Sequence, residues 1–583
     1  MPAHGGNRDL PRHLWIIRET DPERGRKYAR KLARELGCSP LLARVLAARG
    51  IDSAEKAGRY LNPQDSDILP PESIPGLVQA RDRLVRAVKE RQSVLVHGDY
   101  DVDGIAGAVI LHQALKDHGC ASGIFLPTRQ YHGFGLALEA VEKARKSKVD
   151  LIVSVDCGIS SHDSIAAAQK AGIDIIVTDH HALPEVLPSG AILVHPDLDG
   201  DYPGGKIAGP TVALKLVLAL LAALGEDSDE ALAKYLPLAA VATVADVCPL
   251  ADENRAIVSM GMPAIPLTRI PGLKVLYLGT HWGTADETID ARDIAFGMAP
   301  CLNAAGRMGN PLPAAKLLMA KDEDAAWKQF RELQGLNKRR KSTQNEVCRR
   351  LLSRPEVAWI DPGAGILAVA DENCTPGLAG LAAVRLAEQT GRPTCILAPS
   401  EDPTGPLYRG SMRTSGGENL LELMEPALEF VENFGGHPGA VGVTVRPDSL
   451  AGFLDACGKI KFTPRRSELV IDLTMTEPPG DPDEIIDLDR TRPWGAGNAQ
   501  PSFVWEPVTI ENPRRVGREG DHVQVSIGGR DGSALKGIGF GMARWFGDGG
   551  PVGTPVRAAG HFILNDWQGS SRMEFQLTDI DMI

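Results

Sequence analysis

Four short stretches of the chain end in residues equipped for chemistry. HGDYDVDG offers His97, Asp99, Asp101 and Asp103; SVDCG offers Asp156; TDHH offers Asp179, His180 and His181; VADVCPL offers Asp246. Taken singly, each is as readily a helix N-cap or a turn former. Taken together they resist that reading, because clustered carboxylates raise one another's pKa unless cations neutralise them. Carboxylate oxygens with one or two imidazoles suit manganese or magnesium better than a closed thiolate zinc site, and Cys157 and Cys248 are too few to build one. A carboxylate such as Asp156 can bridge two ions, and paired ions about 3.5–4 Å apart activate a water while stabilising a leaving oxygen. The chemistry indicated is hydrolysis of a phosphate ester or anhydride. Asp179, just ahead of the two histidines, reads as a structural support for them.

These residues need a frame that gathers them. The apolar runs in SVLVHG, DLIVSVD, GIDIIVTD and GAILVHP alternate with helix-like stretches such as IAGAVILHQALKDHG and SSHDSIAAAQKAG. Buried strands alternating with amphipathic helices predict a parallel, doubly wound α/β sheet, whose functional groups collect at the carboxyl ends of the strands. This domain is expected over 76–319. Residues 1–75 read as a small N-terminal helical cap on it, from the spacing of Leu41, Leu42, Val45 and Leu46 before Gly50. Residues 320–354, polar and free of proline, predict a long helical connector. A second α/β domain is expected over 355–462, where strand, Gly-rich turn, helix and strand come again. Short strands with Gly and Pro turns over 463–583 predict a small β-barrel of the OB type.

Composition bounds the remaining possibilities. A chain of 583 residues exceeds a single core, and 43% hydrophobic with 24% charged residues excludes a mostly disordered protein. The net charge of -12 argues against non-specific coating of nucleic acid but leaves room for a local basic groove. Residues 331–350 concentrate seven basic against two acidic residues, a pattern that suits a solvated helix face and a phosphate-contacting one equally. The longest purely apolar run, Leu216–Leu224, has nine residues, where a bilayer span needs roughly 20. No membrane partner is therefore expected. The early apolar residues Trp15, Ile16 and Ile17 are cut short by Arg18 and Glu19, and the 9 cysteines are scattered with no C-x-x-C pair. A cytoplasmic protein with reduced thiols is expected.

The motifs HGDYDVDG, SVDCG, DHH at 179–181 and VADVCPL resemble, in their usual order, those of the DHH phosphoesterase superfamily. GGHPGAVG at 435–442 resembles the GGH signature of the accompanying DHHA1 domain. With NAAGR at 303–307, LNKRRK and the terminal barrel, the resemblance is to the RecJ family of single-strand-specific 5′→3′ DNA exonucleases, from about residue 35 to the end. It implies two divalent ions, Mn2+ or Mg2+. One would be held by Asp101 with Asp99 or His97, the other by Asp103, His180 and Asp246, with Asp156 shared. His181 would face the scissile phosphate.

The resemblance further implies a 5′-phosphate pocket built from Arg129, Arg307, Ser411 and Arg413. Asn303 and His437 would lie near the scissile phosphate, and Gly435 and Gly436 would let backbone approach a nucleotide. The basic run Arg339, Arg340 and Lys341 would line a path for phosphates, while Trp545, Phe546 and Trp567 are equally stacking platforms or barrel core. The implied partners are single-stranded DNA with a 5′-phosphate, a single-strand binding protein and a RecQ-type helicase, with a monomer as the acting form. Two departures stand out: Cys374-Thr375-Pro376-Gly377 replaces the family's usual Trp-His-Pro-Gly, and Ala440-Val441 replaces Ala-Ala. Two other readings remain beside this one. The same chemistry can serve short oligonucleotides or cyclic dinucleotides, which have little need of a barrel or basic connector. A non-catalytic scaffold is the other, and the filled ligand positions count against it.

Overall fold

The computed structural model describes residues 13–128, 135–281, 288–358, 365–402, 405–463, 466–547, 551–567 and 570–583. They form two compact units: Gln64–Arg465 with Gly495–Asn498, and a second made of Met1–Pro63, Arg466–Trp494 and Ala499–Ile583.

The first unit opens with a five-stranded sheet in the order Ala121–Phe125, Ser93–His97, Leu151–Val155, Asp174–Thr178 and Ile192–Val194. Every neighbouring pair is parallel. All five residues of Leu151–Val155 are buried, as the uninterrupted apolar sequence requires of a central strand covered on both faces. Alternate strand residues enter different cores. Val94, Val96 and Val153 join helices Val102–Asp117 and Gly209–Leu224 on one face. Leu95, Ile152 and Ile175 join helices Leu138–Lys146 and His162–Lys170 on the other.

The connector is one helix, Glu323–Leu352, capped by Asp322, whose carboxylate accepts from Ala325 N at 2.8 Å. Its buried stripe is divided. Phe330 and Leu333 belong to the core of the parallel sheet, whereas Val347, Cys348 and Leu351 belong to that of the second lobe. The second lobe is a mixed sheet in the order Asn433–His437, Ala440–Val445, Gly405–Arg413, Thr394–Asp402 and Leu367–Ala370, backed by the helix Pro376–Thr390.

The other unit contains a closed barrel. Phe503–Val516, His522–Gly529, Ala534–Gly539, Ser570–Met582 and Pro555–Trp567 pair in turn, and the last returns to the first. The parallel pair Ala534–Gly539 with Ser570–Met582 gives it OB topology. Phe503, Trp505, Phe562 and Phe575 fill the interior. Leu32, Leu42 and Leu46, from helices Pro22–Leu36 and Pro40–Ala48, belong to the same apolar cluster. Thus residues 22–61 pack on the barrel, and a buried ion pair, Arg49 to Asp472 at 2.8 Å, fastens them there. Among the described residues no helix is long and apolar enough to cross a membrane.

Candidate active site

Three of the five sheet strands end by delivering polar residues to one edge. After Ser93–His97, Asp101 caps the next helix, accepting from Asp103 N at 3.1 Å and Gly104 N at 3.4 Å. Asp156 follows Leu151–Val155 at φ 62°, a left-handed conformation that aspartate tolerates better than most side chains. His180 and His181 follow Asp174–Thr178. Asp246 caps the C-terminus of the helix Ser228–Ala245.

Three overlapping groups result: Asp99, Asp101 and Asp156; Asp103, His180 and Asp246; and Asp156, His180 and His181, the chosen atoms within each lying within 4.8 Å of one another. Asp156 and His180 each appear twice. His180 Nε2 lies 2.9 Å from Asp156 Oδ1 and 3.6 Å from Asp103 Oδ2.

The electrostatics call for a cation. Burial, then Asp156 and Asp246, pushes Asp103 well above the usual carboxylate range. Burial and Asp101 do the same to Asp156, and burial with Asp246 raises Asp101. Asp103 Oδ2 accepts from Gly209 N at 2.8 Å, but its buried Oδ1 has no hydrogen-bond partner among the described residues. Such an oxygen is costly to bury unsatisfied, and a divalent ion satisfies it. Hard oxygen donors with imidazole fit Mn2+ or Mg2+. The two nearby thiols do not compete: burial pushes both Cys157 and Cys248 up, keeping them protonated.

Behind the cluster, Asp179 is 1% exposed. It accepts from Ile159 N at 2.9 Å, His180 N at 2.8 Å and His181 Nδ1 at 2.7 Å. Burial, the largest single influence, would raise its pKa, but the hydrogen bonds from His181 and Ile159 N and the charges of His181 and His180 together outweigh it and hold it at about 2. The bond to Asp179 raises His181 to about 9 against its own desolvation. Asp179 therefore orients His181 and leaves Nε2 as the nitrogen that faces outward chemistry.

His97, expected as an alternative ligand to Asp99, belongs to none of the three groups. It pairs in register with Phe125 on the neighbouring strand and stacks on that ring at 5.3 Å. Its Nε2 accepts from Ala137 N at 3.2 Å, so Nδ1 carries the proton and lies 3.4 Å from Cys157 Sγ.

The substrate-side residues are also collected, in the second lobe. Across three strands Arg413 pairs with Ala440 and Ala440 with His437, while Ser411 pairs with Gly442 and Gly442 with Gly435. Gly435, Gly436 and His437 are exposed there. Gly380 packs against this row: a Cβ on it would lie 3.0 Å from Ser411 Oγ and 3.2 Å from Arg413 Nη2. Arg307 ends the helix Ala299–Arg307, and its Nη1 donates to Gly377 O at 3.3 Å, joining the two lobes at this point. Asn303, from the same helix, accepts from Val102 N at 3.1 Å and so braces the Asp99–Asp103 loop. Arg129 lies outside the described residues.

The basic run divides. Lys338, Arg339 and Lys341 are exposed, whereas Arg340 is buried and bonded to Asn337 and Gln344. Cys374 is buried and Thr375 exposed at the turn before Pro376. Trp545 and Phe546 pack against the barrel core rather than standing open, and the side chain of Trp567 lies outside the described residues. One contributor was not singled out from the sequence. Gly209, whose N–H reaches Asp103, begins its helix in a Gly-Pro pair; the pair signals a helix start, but not which carboxylate it meets.

A parallel sheet with this cluster at its carboxyl edge, followed by a second α/β lobe, defines a DHH-type phosphoesterase, here with a barrel added. Residues 93–243 match the DHH family, N-terminal domain, 363–460 the DHHA1 domain and 471–579 the RecJ OB domain. The single-stranded-DNA-specific exonuclease RecJ of Thermus thermophilus is 32% identical over 510 residues, covering 87% of this chain and 71% of that relative. The enzyme of the same name from Escherichia coli is 30% identical over 568 residues, covering 93% and 96%. A crystal structure of Thermus thermophilus RecJ in complex with Mn2+ superposes with a TM-score of 0.81 at 28% identity, over 98% of this chain and 80% of that one. The chain belongs to the RecJ family.

Proposed function

We propose that the chain is a metal-dependent exonuclease that degrades single-stranded DNA from the 5′ end, releasing 5′-mononucleotides in recombination and repair. The observation that carries this reading is the conjunction, within one compact unit, of the acidic cluster and the Ser411–Arg413 row, bridged by Arg307. Bound at this cluster, a pair of divalent ions, Mn2+ or Mg2+, would supply water activation and charge neutralisation at the phosphate. Asp99, Asp101 and Asp156 would hold one ion, and Asp103, His180 and Asp246 the other, with Asp156 the shared ligand. His181, steered by Asp179, presents Nε2 to the scissile phosphate. Guanidinium forks bind phosphate oxygens bidentately, so Arg307 and Arg413, with the Ser411 hydroxyl, would take the terminal 5′-phosphate. His437 and the bare backbone at Gly435 and Gly436 would flank the same strand of nucleotides, and the family resemblance adds Arg129 to the phosphate-binding set. On family membership, the proposal extends to a monomer supplied with substrate by a single-strand binding protein and a RecQ-type helicase.

Turnover of single-stranded DNA, duplex DNA and a cyclic dinucleotide with Mn2+ tests the reading. Hydrolysis of the single strand alone supports it; hydrolysis confined to the dinucleotide would keep the cluster and overturn the substrate. Arg307→Ala and Arg413→Ala are each expected to cut the preference for a 5′-phosphate over a 5′-hydroxyl end by about tenfold or more. An unchanged preference removes them from the pocket.

A further inference from the structure

The helix Ser228–Ala245 ends beside the cluster in a characteristic way. Val247 N donates to Val244 O and Cys248 N to Thr243 O, both at 3.2 Å. This paired closure needs the residue after the cap in the left-handed region, and glycine is its usual occupant because it has no Cβ to clash. Elsewhere the chain mostly obeys that preference, the exceptions being the helices Leu77–Lys89 and Leu138–Lys146, which close in the same way on the unbranched Arg91 and Lys148. The helices Pro22–Leu36, Pro40–Ala48, His162–Lys170, Gly209–Leu224 and Pro376–Thr390 are each followed by a left-handed glycine: Gly37, Gly50, Gly172, Gly225 and Gly391. The helix that carries Asp246 instead has Val247, at φ 59°.

Valine is among the worst residues for this conformation, since two substituents on Cβ crowd the backbone. Among the described residues it is the only β-branched one with a positive φ; the other non-glycine residues there are Arg91, Lys148, Asp156, Asp252 and Asn512. Packing does not compensate, because Val247 is 69% exposed while its neighbours Thr243 and Cys248 are 0% and 6% exposed. Its position is the informative part. Asp246, one residue before it, groups with Asp103 and His180 in the cluster. An unfavourable backbone, an uncovered apolar side chain and the reaction centre thus coincide within two residues, and strain at such a place points to function rather than to folding.

We propose that Val247 is a substrate-contact residue, whose exposed isopropyl group packs on the sugar or base face of the nucleotide being cleaved. Having no hydrogen-bonding group, it grips nucleotides without reading their identity, which suits an enzyme that must process every base in turn. The inference rests on the nuclease reading above.

The test compares the full-length Mn2+ protein with Val247→Gly and Val247→Asn, two residues at ease in the left-handed region, and with Val247→Ile. Glycine and asparagine are expected to raise Tm, leave the Mn2+ dissociation constant within twofold, and raise KM for single-stranded DNA about five- to tenfold. Isoleucine, an apolar β-branched group again, brings KM back toward the wild-type value. A raised Tm with unchanged KM would show strain without function. A lowered Tm would show a structural role, and an isoleucine variant as impaired as glycine would exclude an apolar contact; each overturns the inference. A wild-type protein inert on single-stranded DNA sinks the nuclease reading itself, whereas an active wild type leaves the variants to decide this inference alone.

Discussion

Asp103 shows most sharply what the fold demands of its ligands. It is 3% exposed, raised by burial and by the neighbouring carboxylates Asp156, Asp246 and Asp101, and one of its oxygens lacks a hydrogen-bond partner among the described residues. Replacing it by asparagine keeps an acceptor for Gly209 N and removes the charge. Asp103→Asn is therefore expected to stabilise the metal-free protein by about 1–3 kcal/mol and to abolish the rise in Tm that Mn2+ gives the wild type. Calorimetry with and without EDTA checks both. A carboxyl raised above its unfolded value contributes stability below that value and loses it as pH climbs through the folded one. The advantage of the variant should thus shrink as metal-free samples are acidified from about pH 8 to about pH 5. At this scale the cluster was legible, because strand ends in a parallel sheet must converge. The surroundings of His97 were not legible, since they depend on Phe125 lying beside it in register, and neither was the backbone state of Val247.

At the scale of elements, apolar periodicity revealed the strands, the connector and the second lobe, but not how the connector is fixed. Asp371, at the end of the strand Leu367–Ala370 and fully buried, accepts from Arg350 at 2.7 Å and Arg354 at 2.8 Å. Part of the basic run singled out by charge thus serves as an anchor, and only partners distant in sequence separate that use from phosphate binding. Both guanidiniums remain about one-third exposed, so the pair is screened. Asp371→Asn is expected to lower the stability of the second lobe by about 1–2 kcal/mol, read as faster hydrogen exchange in the helix Pro376–Thr390. Unchanged protection there would show that the apolar stripe alone holds the connector.

For the whole molecule, the periodicity over residues 22–61 announced helices but could not say what they cover. They share the core of a barrel more than four hundred residues later, because burial chooses partners by shape and not by sequence distance. Leu42 is fully buried in that cluster, so Leu42→Ala is expected to cost about 2–5 kcal/mol and to expose the barrel strand His522–Gly529 to exchange. Protection there matching the wild type would show that the barrel folds independently of the helices.

The central claim is metal-dependent removal of nucleotides from a 5′ end, and its most direct test is the product released from single-stranded DNA carrying a 5′ label, with Mn2+, by the wild type and by Asp156→Ala. The wild type is expected to release labelled mononucleotide at once, while Asp156→Ala binds the same strand with similar affinity and turns it over at least about a thousandfold more slowly. Label appearing first in long fragments, or undiminished turnover by the variant, would contradict the account.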